Sequence, residues 1–284
     1  MKIIISHDVD HIDGWCHWYK DLYWEKFVIK ALLFFLRGRI SFKMLMRRLT
    51  YVFTRRMECV DELMAFDGKY GVPSTFFIGM DNALGMSYSL ATAEKMAKHI
   101  DDVGFDFGVH GVAYNDKDKI RSEYNRLKDI IARNALNVKL FGVRNHYLRG
   151  RGDLAMHQWQ SDAGYVFDST DYAIKSPYKV GTMWEFPLAL MDAYILADYD
   201  NDMDVVRQAS VDALKEAEAK GIPYFTILFH NPSPVFPDAK AWYYWFVDYL
   251  SKVGYEFISF KDAIKELNGI RTGKESHRHE NLAD

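Results

Sequence analysis

From residue 58 onward, apolar runs of strand length alternate with amphipathic runs of helix length: ECVDELMAFDGKY, VPSTFFIG, LATAEKMAKHIDDVG, FDFGVHG, KIRSEYNRLKDIIARN, KLFGVRN, and on through YVFDST, TMWEFPLAL and PYFTILFHN. Repeated βα units bury both faces of a sheet when the strands run parallel with helices outside, which predicts an α/β barrel, closed or nearly so. Barrels of this kind carry their sites at the carboxyl ends of the strands. Those ends are polar here: His7, Asp8 and Asp10 follow the first strand, His110 the third, Arg144 the fourth, Asp168 the fifth and His230 the last long one. No P-loop or dinucleotide glycine fingerprint opens any of the helices, which argues against nucleotide chemistry.

The 284 residues, 49% of them hydrophobic, are enough to bury the core of one domain spanning 1–284. A net charge of -3 gives no field that would recruit nucleic acid. Cys16 and Cys59 are too few for a disulfide framework and lack zinc-thiolate spacing, so a reducing compartment is expected. The opening Met1–Ile5 run is too short for a signal peptide, which points to the cytoplasm. No run reaches the roughly 20 apolar residues of a membrane span. Residues 270–284 are expected to be a flexible tail.

Residues 15–56 interrupt the alternation with a basic, aromatic stretch whose apolar positions recur at helical spacing around a break at Gly38. Two readings stand for this helical insertion. Its apolar face packs on the barrel or on a second subunit, or it rests on anionic lipid. The first is favoured, because apolar stripes in water-soluble chains are usually buried.

Asp8 and Asp10 in SHDVDH lie two positions apart on an extended segment and so point the same way. Two like charges this close need a compensating cation or arginine to stay ionised. His7 and His11, flanking them, can hydrogen-bond or ligate.

With these residues placed, the sequence resembles the polysaccharide deacetylases of carbohydrate esterase family 4 over residues 1–14 and 58–262. The resemblance implies a distorted seven-stranded barrel, a divalent metal, zinc in the first instance, and hydrolysis of an N-acetyl or related acyl group on an amino sugar. SHDVDH is similar to the family's first motif, which makes Asp8 the base and Asp10 a metal ligand. Gly14–Trp15 follow it, and STFFIG matches an apolar strand whose glycine leaves room near the site. The family's H-x-x-x-H motif is met by His110 in first place and Tyr114 in second, with Asn115 and Asp116 beyond. Tyrosine is a poor zinc ligand, and Asp116 is the oxygen donor that could replace it.

GVRNHYLR stands where the family has R-x-P-Y. Arg144 is expected to fork onto Asp8, and the Tyr147 backbone N–H to receive an oxyanion. His146 replaces the proline with no role assigned. His230 resembles the family's acid histidine, and Asp168 or Asp171 the aspartate that raises its basicity. Trp15, Tyr147, Trp184 and Glu185 are the expected substrate contacts. A sugar-binding barrel without chemistry and a hydrolase of non-sugar amides are the alternatives.

Overall fold

The computed structural model describes residues 1–12, 22–38, 40–54, 59–83, 85–199 and 202–269; the expectations for Trp15, Cys16 and the 270–284 tail fall outside them. Ten strands form one sheet: β1 (Lys2–Val9), β2 (Thr75–Gly79), β3 (Asp106–Gly111), β4 (Val143–Asn145), β5 (Phe167–Asp168), β6 (Tyr178–Val180), β7 (Met183–Glu185), β8 (Leu188–Met191), β9 (Tyr224–Leu228) and β10 (Glu256–Phe257). Their order is β6-β7-β5-β4-β3-β2-β1-β9-β8, with β10 beside the start of β1. The β6–β7 pair is antiparallel, and the ladders that carry the site are parallel. A single parallel bridge between Tyr172 and Leu188 brings the segment after β5 onto β8 and nearly closes the ring. This is the expected α/β barrel. The TMWEFPLAL run, expected as one strand, is two, β7 and β8, because Pro187 between them has no N–H to give a ladder.

Strand parity divides the barrel into an inside and an outside. Ile3, Ile5 and Val9 join the large cluster beneath the outer helices, whereas Ile4 joins the inner one with Phe77, Phe167, Phe186 and Tyr224. Successive side chains alternate, so the inward row of β1 runs Ile4, Ser6, Asp8 and on towards Asp10. On β9, Phe225 and Ile227 pack outside and Tyr224 inside, so His230 continues the inward row beyond the strand end. Val109 and Val143 pack outside, which turns His110 and Arg144 inwards. His7 falls on the outward parity. It is fully buried against the outer layer, with Nδ1 2.9 Å from the Phe229 carbonyl and Nε2 2.8 Å from Asp67 Oδ2, and it takes no part in the site.

The insertion forms two helices, α1 (Tyr23–Leu36) and α2 (Phe42–Thr54), with Gly38 at φ +69° in the turn between them. Of the two placements expected for its apolar face, the barrel or a second subunit, the barrel leaves much of that face uncovered among the described residues. Trp24, Ala31 and Leu45 are its buried side chains among the described residues, while Ile29, Leu33 and Leu36 are exposed. Among the described residues it meets the barrel where Phe27 lies 6.1 Å from Phe236 between ring centroids.

Candidate active site and metal centre

At the carboxyl end of the barrel Asp10, His110 and His146 converge. His110 Nε2 lies 3.1 Å from Asp10 Oδ1, His146 Nδ1 lies 3.3 Å from the same oxygen, and the two ring nitrogens are 3.0 Å apart. Three donors on a tetrahedral ion with bonds of about 2.0–2.1 Å would sit about 3.3 Å from one another, so this near-equilateral triangle fits a divalent metal. His110 Nδ1 is 2.9 Å from the Arg144 carbonyl, which fixes Nδ1 as the donor and leaves the Nε2 lone pair for the ion. Burial pushes the Asp10 carboxyl up, but hydrogen bonds from His110 and His146 and the charge of His230 outweigh it and hold it well below the usual carboxylate range.

His146 therefore stands where Tyr114 was expected. The chain leaves the barrel after β3, so a residue four positions beyond His110 no longer follows the strand's parity. Tyr114 lies instead under the Arg149 guanidinium, 5.5 Å from its ring centroid. Asp116 caps the helix Lys117–Asn134, accepting from the amides of Asp118 and Lys119. Neither joins the ligand group. His146 reaches it because it continues the inward row of β4 two residues after Arg144 and then enters a tight turn. Tyr147 and Leu148 there both take left-handed backbone angles, φ +56° and +50°. Such angles are strained for residues with a Cβ and collect at sites where the surroundings enforce them. The turn leaves Tyr147 63% exposed, its ring 4.1 Å from that of His146.

Asp8 is held from below by Arg144, whose Nη1 donates at 3.0 Å to Oδ1. The guanidinium does not fork onto Asp8. Its other donors go to Ser169, Nε to the carbonyl and Nη2 to Oγ, both at 2.9 Å, and its face lies 4.4 Å above Phe77. Three acceptors in one plane suit guanidinium and not ammonium. Arg144→Lys should therefore lower kcat about 10- to 100-fold with a smaller effect on KM, the size typical of losing an outer-shell partner. Steady-state kinetics of the variant check this, and unchanged kcat would remove Arg144 from the site.

His230 sits over a carboxylate, but not the expected one. Asp192, the first residue of the helix Asp192–Asp198, accepts from His230 Nδ1 at 2.6 Å and from the His230 amide at 3.1 Å, and Ser233 Oγ also donates to it. Burial would lower the imidazole's pKa, but the Asp192 charge, helped by Asp10 and Asp8, raises it to about 10. With Nδ1 occupied, Nε2 is the nitrogen left to meet a substrate.

Asp168 belongs to a second buried group with His157 and Glu185. His157 Nε2 is 3.2 Å from Asp168 Oδ2, and Glu185 lies opposite Asp168 in the β5–β7 register. Burial and the neighbouring Asp168 and Asp171 charges push the Glu185 carboxyl well above its ordinary range. Burial lowers the His157 pKa, but the Asp168 hydrogen bond and the nearby acidic charges raise it overall. The group is close enough to hold an ion. Asp168 supports the site from behind. Its Oδ1 accepts from Thr170 Oγ1 at 2.5 Å, and that hydroxyl in turn receives the Asn145 amide at 3.0 Å. Glu185 is fully buried and Trp184 donates to Asn268 at 3.3 Å, so neither lines the cleft as expected.

Three residues unassigned in the sequence hold the ligand-bearing loops. Asn231 accepts the Asp10 and His11 amides at 3.0 and 3.3 Å and pins the end of β1 to β9. Tyr88 accepts the Gly79 amide at 2.6 Å and donates to the Val9 carbonyl at 2.7 Å. The space at Gly79 is thus taken by Met86 and Tyr88, whose atoms would lie 2.5 and 2.8 Å from an added Cβ, and is not left for substrate. Glu123 accepts the Val112 and Ala113 amides just past His110, at 2.9 and 3.4 Å, and burial raises its carboxyl from 4.5 to about 7.

A raised folded-state pKa makes this group's contribution to stability largest below pH 4.5 and removes it as pH rises through 7, a swing of about 3 kcal/mol. Urea unfolding of Glu123→Gln and the wild-type protein at pH 4.5 and 8 should show the stability difference shifting by that amount in the variant's favour at the higher pH. A pH-independent difference would mean that the carboxyl is not raised.

No protein-family profile matches the sequence, and no curated relative does at a significant level. Solved structures do match the fold. One described as a polysaccharide deacetylase from Mycobacterium smegmatis aligns with 99% of this chain and 94% of its own, with a TM-score of 0.62 and 14% identity. The Puue allantoinase aligns with 82% of this chain and 78% of its own, at 0.57 and 16%. A second protein described as a polysaccharide deacetylase, from Pseudomonas aeruginosa PAO1, aligns with 79% of each chain, at 0.55 and 15%. The chain thus shares the α/β barrel of these hydrolases.

Proposed function

We propose that the protein is a metal-dependent hydrolase that removes an N-acetyl or related acyl group from an amino sugar of a glycan or glycan precursor. The observation that carries this reading is the Asp10–His110–His146 triangle with Asp8 on one side and the Asp192-bound His230 on the other. A divalent ion held by Asp10, His110 and His146, zinc in the first instance given two imidazoles and one carboxylate, would polarise the acyl carbonyl and acidify a water.

Asp8, oriented by Arg144 and 3.7 Å from His110 Nε2, takes the proton from the attacking water. His230, kept protonated at neutral pH by Asp192, gives its proton to the leaving amine. The Tyr147 amide, in the left-handed turn at the rim, is proposed to receive the oxyanion. The reading of a sugar-binding barrel without chemistry rested on Tyr114 in place of a histidine; His146 beside Asp10 and His110 supports the hydrolase over it.

The test is acetate release from N-acetylated amino-sugar oligosaccharides by metal-stripped protein, before and after one equivalent of Zn²⁺, Mn²⁺ or Co²⁺. Release restored by a metal supports the reading. Release from small non-sugar amides alone would move the substrate to the class of the allantoinase neighbour, and no release with any ion would sink the hydrolase.

A further inference from the structure

Among the described residues the exposed large apolar side chains concentrate on the 22–54 hairpin: Ile29 (57%), Leu33 (42%), Leu36 (78%), Phe42 (63%) and Met46 (46%), with Leu22 and Leu32 beside them. Ile29, Leu32, Leu33 and Leu36 follow the i, i+3, i+4, i+7 spacing of one helical stripe, so α1 turns a continuous apolar face to solvent. The same segment carries seven basic side chains and one acidic one, Glu25, in a chain whose net charge is -3. Lys26, Lys30, Arg37 and Lys43 are exposed alongside the stripe. Single exposed apolar residues are ordinary on a protein surface, but a contiguous rimmed set marks a docking face.

Neither helix spans a membrane: α1 has 14 residues and α2 has 13, about 20 Å of helix each. Through Phe27 the hairpin touches Phe236, six residues after His230 in sequence. It therefore stands at the rim of the catalytic face.

We propose that this hairpin is an interfacial docking element that seats the catalytic face of the protein on a bilayer containing anionic lipid. An apolar stripe edged by Lys and Arg matches the acyl–headgroup boundary, where the stripe enters hydrocarbon and the basic rim meets phosphates. A second copy of the chain fits less well. A two-fold contact through this face brings the basic rim against itself, and like charges oppose the apolar gain. Docking here would present the site to a lipid-borne glycan. That last clause rests on the proposed reaction; the docking does not.

The test is flotation of the full chain with vesicles of zwitterionic lipid alone and with about one third anionic phosphatidylglycerol. The expected result is at least tenfold greater partition onto the anionic vesicles at 50 mM salt, largely lost at 500 mM as screening shortens the reach of the charges. The quadruple variant Lys26→Gln, Lys30→Gln, Arg37→Gln and Lys43→Gln should lose the anionic preference, and Leu36→Ser with Phe42→Ser should lose partition onto both vesicles. All of these side chains are exposed, and circular dichroism of each variant checks that the barrel is intact. Light scattering on the lipid-free protein should give a monomer. Failure of the wild-type chain to float, or a dimer that Leu36→Ser with Phe42→Ser dissociates, would overturn the proposal. Flotation measures docking without turnover, so an inactive but floating protein would count against the reaction and not against the surface.

Discussion

His146→Ala should bind less than a tenth of the wild-type metal and release acetate at least a thousandfold more slowly, while Tyr114→Phe matches the wild-type protein in both. The two residues compete for one role, and the geometry separates them. His146 Nδ1 is 3.3 Å from Asp10 Oδ1 and 3.0 Å from His110 Nε2, whereas Tyr114 lies under Arg149 outside the ligand group. Removing one of three protein ligands leaves two, too few to hold zinc tightly, and with the ion go carbonyl polarisation and the acidified water. Metal analysis after dialysis and initial rates with saturating metal are the measurements. A His146→Ala protein that keeps its metal while Tyr114→Phe loses it would restore Tyr114 as the ligand.

His230→Ala should lower kcat on an N-acetyl substrate by about 10²- to 10⁴-fold with KM little changed, the range expected when a positioned acid is removed. An amine leaves poorly without a proton, whereas a nitrophenolate does not need one. The same variant should therefore lose much less activity on a nitrophenyl acetate ester. Asp192→Asn tests the other half of the pair. Asp192 raises the imidazole to about 10, so deleting its charge lowers the pKa, and the protonated form the reaction needs is lost at a lower pH. The alkaline limb of kcat/KM should move to lower pH in Asp192→Asn while the acid limb stays near its place. Equal losses on amide and activated ester, or an unmoved alkaline limb, would take His230 out of the acid role.

The allantoinase among the structural neighbours shows that one barrel serves more than one named hydrolase. On the proposed reading, the choice of acyl group and sugar falls to loops around the rim. That places the useful substrate screen on amphiphilic as well as free oligosaccharides.

The sequence by itself determined the alternation that makes the barrel, the polar strand ends that make the site, and much of which side chains could meet. Parity alone carries Asp8, Asp10, Arg144 and His230 inwards and His7 outwards, because side chains alternate along any strand whatever its neighbours. Only the tertiary structure decided the partners beyond the strand ends. Past His110 the chain turns away, so Tyr114 and Asp116 follow a loop and a helix cap instead of the strand's row. Past Arg144 two left-handed residues hold His146 in the site, and no local propensity favours that conformation for Tyr147 or Leu148. Asp192 is distant from His230 in sequence and meets it because β8 lies beside β9, a pairing the sheet as a whole selects. The hairpin's apolar stripe was legible as a helix face, but whether that face is covered depends on what the rest of the molecule packs against it, and here it is left open to solvent.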